Sequence, residues 1–231
     1  MALQSQKFLG MAHAGTGLYL DGSAIFFNPG ALAQQQKRWE FTLGVHPLLS
    51  KGYYQNLDTR AYTTTENPVG TPAEFYASYK INDKFTAGLG FYTPYGSGVQ
   101  WPDGWEGRAL ITKIQLKTYF LQPTLSYKIT DWLSIGAGFV IANGNVVLEK
   151  DIPALNGHLA LEGKPKTGFG YNVGVYLQPN EKLTIGINYR SKIEMKVTNG
   201  DATFTIPKAL TSKIKPNDTF SAELPMVSSL N

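Results

Sequence analysis

Apolar and polar side chains alternate at every second position in several separate stretches of the chain. The same period of two occurs in residues 39–47, 84–92, 132–142 and 168–178. Successive side chains of a strand point to opposite faces, so this period predicts β-strands that each have one apolar face. In residues 182–191, KLTIGINYRS, the apolar set is Leu183, Ile185, Ile187 and Tyr189, and the interleaved set is Thr184, Gly186, Asn188 and Arg190.

The interleaved face of these predicted strands is polar or small, and mostly uncharged. It consists largely of Thr, Ser, Gly, Asn and Gln. A soluble β-sandwich also alternates, with its polar face in water, so alternation alone leaves both a soluble and a membrane protein open. Water-facing strands usually carry Lys, Glu and Asp. The glycine-rich, uncharged face therefore favours a crowded polar interior with the apolar face on lipid.

Short turns alternate with long connections along the chain. Residues 78–85, SYKINDKF, and 126–133, SYKITDWL, are near copies, and 176–183, YLQPNEKL, is a looser third copy. Each predicts a strand, a tight turn and a second strand. Long loops are expected at about 93–113 and 143–166, and a shorter one at about 190–201. Tight turns on one side and long loops on the other are typical of outer-membrane barrels.

The composition agrees with a β-rich chain and excludes several kinds of site. Of the 231 residues, 16% are charged, which is well below the usual quarter, and 24 are glycine. The absence of cysteine excludes disulfides and thiolate metal sites. The net charge of +4 comes from scattered basic residues, so we expect no nucleic-acid partner.

Neither a membrane-spanning helix nor a signal peptide is predicted. No run of 18 apolar residues exists, but a transmembrane β-strand needs only about ten residues of alternating character. The opening MALQSQKF lacks the basic start and long apolar core of a signal peptide. We interpret its methionine as the replacement of a removed leader.

An apolar run stops abruptly near the start of the chain. In residues 17–33, GLYLDGSAIFFNPGALA, the side chains of Ile25, Phe26 and Phe27 come directly before Asn28-Pro29-Gly30. Proline has no amide hydrogen for a ladder or a helix interior, and it pushes the residue before it out of the helical region. The sequence therefore predicts a sharp, rigid turn at this point.

Four stretches resemble the FadL family, the outer-membrane transporters of long-chain fatty acids and aromatic hydrocarbons of Gram-negative bacteria. Residues 10–33 are similar to the family's N-terminal hatch with its Asn-Pro-Ala/Gly turn. Residues 91–139 carry the Pro-x-Gly…Trp…Gly-Arg stretch and the strand pair behind it. Residues 168–194 match the next hairpin with its Tyr-Arg-Ser end, and 200–207 match a later segment.

The resemblance implies an all-β fold, a transmembrane antiparallel β-barrel with an N-terminal plug. Family members have fourteen strands, whereas about seven or eight are countable here, and a final strand around 224–231 stops at Asn231 without an aromatic end. We therefore expect a partial chain, with the plug in residues 1–36 and the first part of the barrel in 37–231. The expected location is the outer membrane of a Gram-negative bacterium, among its lipid and lipopolysaccharide.

The resemblance further implies passive uptake of a hydrophobic small molecule, with long-chain fatty acids favoured over aromatic hydrocarbons. The ligand leaves sideways through an opening in the barrel wall, without any cofactor, and the protein is expected to be a monomer. Asn28-Pro29-Gly30 would shape this gate, beside an inward kink in a wall strand. Ile25, Phe26 and Phe27 would line the ligand side of the plug, or serve only as its packing anchors.

Arg108 is the remaining candidate site residue. Its guanidinium could contact a carboxylate headgroup, or hold its loop by pairing with Glu106 or with lipopolysaccharide phosphate. The histidines, His13, His46 and His158, have no metal-ligand spacing. We therefore expect no enzyme, but two other hypotheses stay open: a structural or adhesive barrel that binds outside partners through long loops, and an outer-membrane lipid hydrolase.

Overall fold

The computed structural model describes residues 3–207 and 216–231, and most of them form antiparallel strands. In chain order the strands are β1 (Trp39–Val45), β2 (Tyr53–Gln55), β3 (Tyr62–Thr64), β4 (Ala73–Lys80), β5 (Phe85–Tyr92), β6 (Gly96–Gln100), β7 (Lys113–Lys128), β8 (Leu133–Ile152), β9 (Gly157–Gly163), β10 (Gly168–Asn180), β11 (Leu183–Arg190), β12 (Ile193–Thr205), β13 (Asn217–Met226) and β14 (Ser229–Leu230).

The helices are short. Two α-helices, α1 (Gln6–Leu9) and α2 (Ala24–Phe27), lie before the first strand, and α2 leads into a 3-10 helix at Pro29–Gln34. A second 3-10 helix, Pro153–Leu155, connects β8 to β9. Within the two described ranges, none of the helices has the length and apolar character needed to cross a bilayer.

One large sheet organises the chain. Its continuous path runs β1-β4-β5-β7-β8-β10-β11-β14, and β6, β9, β12 and β13 attach beside this path to make twelve strands. The described residues thus contain more strands than the seven or eight expected, because segments expected as loops pair beside the path. Among the described residues the sheet is open, because β1 pairs only with β4 and the far edge of β11 meets only the two-residue β14.

The predicted tight turns are confirmed. Between β4 and β5 the side-chain oxygen of Asn82 accepts hydrogen bonds from the backbone amides of Lys84 and Phe85, both at 2.9 Å. The repeated motif places equivalent hairpins between β7 and β8 and between β10 and β11. Each turn thus joins two neighbouring strands of the path, as the sequence pattern requires.

The predicted long loops are wrong for much of their length. The β7–β8 ladder continues to the pair Lys113 and Glu149, and β6 and β9 pair with these extensions. Residues expected in a loop at 190–201 instead begin β12 at Ile193. The 20 residues of β8 are about twice what a bilayer needs, so the strand pairing that satisfies its backbone continues beyond the membrane.

The two faces of the sheet differ as the alternation predicts. Leu183, Ile185 and Ile187 are 46%, 44% and 51% exposed, whereas Asn188, which follows them on the interleaved face, is 1% exposed. We call the exposed apolar side the outer face. The other side, the inner face, is covered by residues 3–36, which we call the N-terminal segment. Its 3-10 helix contacts β7, β8 and β10.

The buried core lies between the N-terminal segment and the inner face. Phe8, Ile25 and Leu32 of the segment are fully buried, and they share one cluster with Tyr76 and Tyr92 of the sheet. Because the inner face is covered by apolar side chains only in part, its many polar side chains need partners within the segment. Those partners define the candidate site.

Candidate functional site

The turn predicted at Asn28-Pro29-Gly30 is present. Asn28 has extended backbone angles, φ −162° and ψ 100°, and Pro29 is the first residue of the 3-10 helix. The residue before proline is thus held out of the helical region, which ends α2 at Phe27. The side-chain oxygen of Asn28 accepts a hydrogen bond from the amide of Gly30 at 2.9 Å, which closes the turn locally.

The same Asn28 side chain also forms a hydrogen bond to the sheet. Its amide nitrogen donates to the carbonyl oxygen of Thr16 at 2.8 Å and to that of Val175, in β10, at 2.9 Å. Asn28 is fully buried. One carboxamide therefore closes the turn internally. It also ties the turn to the preceding loop of the N-terminal segment and to a strand of the sheet.

Glycines on three neighbouring strands form the surface on which this turn rests. Gly136 and Gly174 are direct partners in the β8–β10 ladder, and Gly186 lies on β11. A methyl group at Gly136 would collide with the backbone of Pro29, one at Gly174 with the side chain of Asn28, and one at Gly186 with the backbone of Thr16. We call these three residues the glycine seat, because backbone contacts backbone there.

The approach is equally close from the other side. A methyl group on Gly30 would lie 2.8 Å from the carbonyl oxygen of Gly174. The backbone of Gly30 therefore lies directly against the backbone of β10. A side chain larger than hydrogen at Gly30 therefore requires the turn or the strand to move.

Polar side chains of the inner face donate to carbonyl oxygens of the N-terminal segment. Gln122 donates to the carbonyl of Ile25 at 2.7 Å, and Asn172 donates to that of Phe26 at 3.1 Å. Ser134 and Ser126 donate to the carbonyl of Gly30 at 2.7 and 3.3 Å. These donors satisfy carbonyls at the end of α2 and in the turn that would otherwise be unpaired. The sequence identified this polar face, but not its partners.

Ile25, Phe26 and Phe27 are buried packing residues in this structure. The Phe27 ring centre lies 4.3 Å from that of Phe8, and the Phe26 ring centre lies 5.1 Å from that of Tyr92. These contacts support the packing role of the three side chains. Their contact with a ligand stays a prediction.

Arg108 has a different partner from the one expected. Its Nε lies 3.9 Å from Oδ2 of Asp151, and its Nη1 donates to the carbonyls of Gly104 and Trp105, both at 3.3 Å. Glu106 instead accepts a hydrogen bond from Asn56. Of the alternatives considered for Arg108, the pairing with Glu106 is not the one present, because the β8 extension brings Asp151 beside the loop. A ligand contact of Arg108 stays a prediction.

Arg190, at the end of β11, contacts the N-terminal segment directly. Its Nη2 donates to the carbonyl oxygen of Phe26, and its Cζ lies 3.6 Å from the centre of the Phe26 ring. Sequence reasoning assigned this residue no role. The available signal was its charge, since its neighbours in the interleaved set, Thr184, Gly186 and Asn188, are uncharged.

Two of the three histidines, His46 and His158, lie beside carboxylates, and His13 stacks on the Phe27 ring. Nε2 of His46 lies 3.0 and 2.9 Å from the two carboxylate oxygens of Glu74, and Nδ1 of His158 lies 2.8 Å from Oδ1 of Asp151. Across residues 3–207 and 216–231, no three His, Asp or Glu side chains are grouped so that they could hold a metal ion.

Two hollows border the N-terminal segment and the glycine seat. A cleft of about 560 Å³ lies between the segment and β1, where the hydroxyl of Tyr19 donates to Glu40 at 2.6 Å. Burial, together with this hydrogen bond, raises the pKa of Tyr19. The second hollow, of about 430 Å³, is almost wholly apolar and lies across β7, β8, β10 and β11; its lining includes Gly136, Gly174, Ile135, Val173 and Ile187.

Relatives of known sequence match nearly all of this chain. Outer membrane protein P1 of Haemophilus influenzae is 24% identical, over 96% of this chain and 59% of its own length. The Long-chain fatty acid transport protein of Escherichia coli O6:H1 is 22% identical, over 83% of this chain and 49% of its own length. The chain thus spans about half to three fifths of the length of these relatives.

Solved structures show the same fold. A Pseudomonas aeruginosa FadL homologue has a TM-score of 0.71 at 20% identity, covering 93% of this chain and 60% of its own. The Ralstonia pickettii toluene transporter TbuX has a TM-score of 0.70 at 16% identity, covering 94% and 64%.

A family model described as Outer membrane protein transport protein (OMPP1/FadL/TodX) matches residues 1–229. The match confirms the resemblance inferred from the sequence motifs. It also confirms the expected location in the outer membrane of a Gram-negative bacterium, where the relatives are named as outer membrane proteins. The chain belongs to the OMPP1/FadL/TodX family of outer membrane transport proteins.

Proposed function

We propose that the protein carries hydrophobic small molecules passively across the outer membrane, with residues 1–36 as a plug and residues 37–231 as wall strands. The ligand leaves sideways through the wall beside β10. A fatty chain gains about 0.8 kcal/mol for each CH₂ removed from water, so a dry route into the bilayer is favoured over an aqueous pore. No catalytic step is involved.

The observation that carries this proposal is the position of the glycine seat. Gly136 and Gly174 have the Asn28-Pro29 turn against one side and line the apolar hollow on the other. No side chain of these two glycines stands between the turn and the hollow. A movement of the turn would therefore uncover the backbone of β8 and β10 at this point.

The hydrogen bond from Asn28 to Val175 supports the same location. Val175 is in register with both neighbouring strands, Ile135 of β8 and Ile187 of β11, so the bond from Asn28 is an additional contact. It ties the turn of the plug to β10 while the route is closed. The Asn28 side chain thus links release of the turn to a change in its contact with β10.

Long-chain fatty acids are the substrates that we propose first, since a related protein is the Long-chain fatty acid transport protein of Escherichia coli. Aromatic hydrocarbons are the second candidate. Two structural neighbours are the toluene transporter TbuX and a monoaromatic hydrocarbon channel, CymD. The hollow at the wall, about 430 Å³ and apolar, suits either class.

Uptake by living cells tests the proposal. The full-length protein is expressed in a Gram-negative strain that lacks its own transporter, and uptake of labelled oleate and of labelled toluene is measured against the empty vector. We expect oleate uptake several-fold above background. Toluene uptake alone would move the substrate class to aromatic hydrocarbons. Background uptake of both compounds, with the protein inserted in the membrane, would refute transport.

A further inference from the structure

The two ends of the large sheet differ, and the difference orients the sheet in the membrane. One end carries the tight turns that join β4 to β5, β7 to β8 and β10 to β11. At the other end β7 and β8 continue as a ladder to the pair Lys113 and Glu149. Outer-membrane barrels have short turns on the periplasmic side and longer segments outside the cell. The end with the β7–β8 extension is therefore the extracellular end.

The apolar side chains of the outer face give way to polar ones at one level near the extracellular end. Tyr119 on β7, Ile141 on β8 and Phe169 on β10 are the last apolar side chains before this change, and Ile141 and Phe169 are direct register partners. The rings of Tyr119 and Phe169 are exposed. Aromatic side chains at the end of an apolar strand face mark the level where lipid tails meet headgroups. Outer-face positions just beyond them therefore lie at the depth of the outer-leaflet headgroups.

Four polar side chains occupy these next positions on the outer face. Lys117 precedes Tyr119 by two residues and is the direct register partner of Asn145. Asn143 is the register partner of Tyr119, and its Oδ1 accepts a hydrogen bond from the hydroxyl of Thr167 at 2.9 Å. Residues that share a face on adjacent strands lie about 5–8 Å apart, which a lysine side chain can span. We call Lys117, Asn143, Asn145 and Thr167 the polar rim.

The charge of Lys117 is not neutralised by another side chain in residues 3–207 and 216–231, where no carboxylate forms an ion pair with it. Lys113, on the same strand and the same face, does have such a partner, since its Nζ lies 3.0 Å from Oε1 of Glu149. The residues opposite Lys117 in the ladders to β6 and β8 are Gly96 and Asn145, and both are uncharged. Lys117 is exposed. Its ammonium group is therefore available to an anion from outside the chain.

The amide beside Lys117 is set as a hydrogen-bond donor. Because Oδ1 of Asn143 accepts from Thr167, the hydrogens of its Nδ2 are left for another acceptor. Open space adjoins Lys117 on the β6 side. Its partner Gly96 has no side chain, and a methyl group on Gly98, the next residue on that face, would meet no atom within 4 Å. The polar rim thus combines a cation, amide donors and an open approach.

A phosphate group is the ligand that the polar rim fits. The ammonium of lysine is a compact cation that binds phosphate in many proteins, and amide hydrogens can bond the remaining phosphate oxygens. Phosphates at this depth belong to the glycolipid of the outer leaflet, the lipid A part of lipopolysaccharide. Its acyl chains would lie along the apolar side chains below the rim, such as Tyr119 and Phe169. The order of polar rim and apolar row along the strands therefore matches the order of head and tails in that lipid.

We propose that the polar rim binds a phosphate of lipid A in the outer leaflet. Lys117 and the amide of Asn143 contact the phosphate, and Thr167 orients that amide. The lipid thereby holds the start of the β7–β8 extension at the membrane surface and fixes the depth of the sheet in the bilayer. The polar rim is on the opposite side of the sheet from the N-terminal segment, so this inference does not depend on the proposed transport.

Two glycolipids with the same acyl chains separate the phosphate from the packing of the tails. The full-length protein in dodecyl maltoside micelles is titrated with lipid A, or with lipid A from which the phosphates have been removed. EDTA is present so that no divalent cation bridges phosphate to carboxylates. Native mass spectrometry measures the bound fraction, and heat-modified gel mobility reports the folded fraction of each variant.

The variants are Lys117→Gln, Lys117→Glu and Asn143→Ala, with Lys182→Gln as the matched control. Lys182 is an exposed lysine in the β10–β11 turn, so its loss removes the same charge at the opposite end of the sheet. Inorganic phosphate at millimolar concentration is the competitor that represents a free anion. All four substitutions replace side chains that are exposed, so we expect each protein to fold.

For Lys117→Gln we expect lipid A to bind about fivefold more weakly, which is the effect of one lysine at an anionic lipid surface. Lys117→Glu reverses the charge and should weaken binding about 25-fold, since two such steps are lost. Asn143→Ala should cost about two- to tenfold through the lost hydrogen bond. Lys182→Gln should match the wild type. Binding of the phosphate-free lipid should change less than twofold in every variant.

Equal weakening for both glycolipids in the Lys117 variants would assign the contact to the acyl chains and overturn the phosphate site. Wild-type binding of lipid A by folded Lys117→Glu would overturn it as well. Complete displacement of lipid A by inorganic phosphate would show that the polar rim binds a free anion and not a lipid surface. None of these results bears on the uptake of hydrophobic molecules, which the cell assay measures separately.

Discussion

The side-chain amide of Asn28 and the carbonyl oxygen of Val175 are hydrogen-bonded at 2.9 Å, although 147 positions separate the two residues. The contact joins the turn of the N-terminal segment to the middle of a wall strand. The same side chain closes the turn through the amide of Gly30. Asn28 thus acts both as an acceptor within the segment and as a donor to the sheet, which makes the two roles separable by mutation.

Asn28→Asp should keep the acceptor and remove the donor. The carboxylate can still accept from Gly30, but it faces the carbonyl oxygens of Thr16 and Val175. Leaving buried groups unpaired costs about 1–3 kcal/mol each. We expect faster amide hydrogen exchange across residues 24–34, measured by mass spectrometry on the full-length protein.

The matched control for that variant is Asn82→Asp. Asn82 in the β4–β5 turn acts only as an acceptor, for the amides of Lys84 and Phe85, so an aspartate should replace it without loss. Exchange at 24–34 that stays at the wild-type rate in Asn28→Asp would show that the bond to β10 does not hold the segment.

Gly30→Val should reduce uptake while the protein still inserts. The new side chain begins 2.8 Å from the Gly174 carbonyl, and overpacking of this kind costs about 1–3 kcal/mol. We expect lower oleate uptake and unchanged sensitivity to large antibiotics. The control is Gly98→Val, where a methyl group meets no atom within 4 Å. Wild-type uptake by Gly30→Val would remove the turn from the transport route, and increased antibiotic entry would make it an ordinary folding element of the segment.

Ile185→Arg and Thr184→Arg compare the two faces of β11. Ile185 is on the outer face, where a charge near the bilayer midplane costs about 2–4 kcal/mol. Thr184 is on the opposite face. We expect a far lower yield of folded protein for Ile185→Arg in a liposome refolding gel. Equal yields for the two variants would mean that the assigned lipid-facing side is incorrect.

Arg108→Gln should leave uptake of oleate within about twofold of the wild type. Arg108 and Asp151 are partly exposed and 3.9 Å apart, and such pairs contribute about 0–1 kcal/mol. The uptake assay in the transporter-deficient strain measures this directly. A tenfold loss at equal protein level would place the ligand at this loop arginine.

The faces of the strands could be predicted because alternation is a local property. Ile185 and Asn188 follow from the period of two alone. The partner of Asn28 in the sheet and the partner of Arg190 could not, since each lies more than 140 positions away in the chain. The long loops were mispredicted for a related reason. Whether a strand ends or continues depends on whether its neighbour also continues, as β7 and β8 do.

Several hydrogen bonds from the inner face to the N-terminal segment end on backbone carbonyls of Ile25, Phe26 and Gly30, whatever side chains those positions carry. These bonds are therefore independent of the chemistry of the side chains at 25–27. Residues 25–27 can be exchanged for others of similar volume while every one of these bonds is kept. The same sheet could therefore hold N-terminal segments whose side chains at 25–27 differ and suit different molecules.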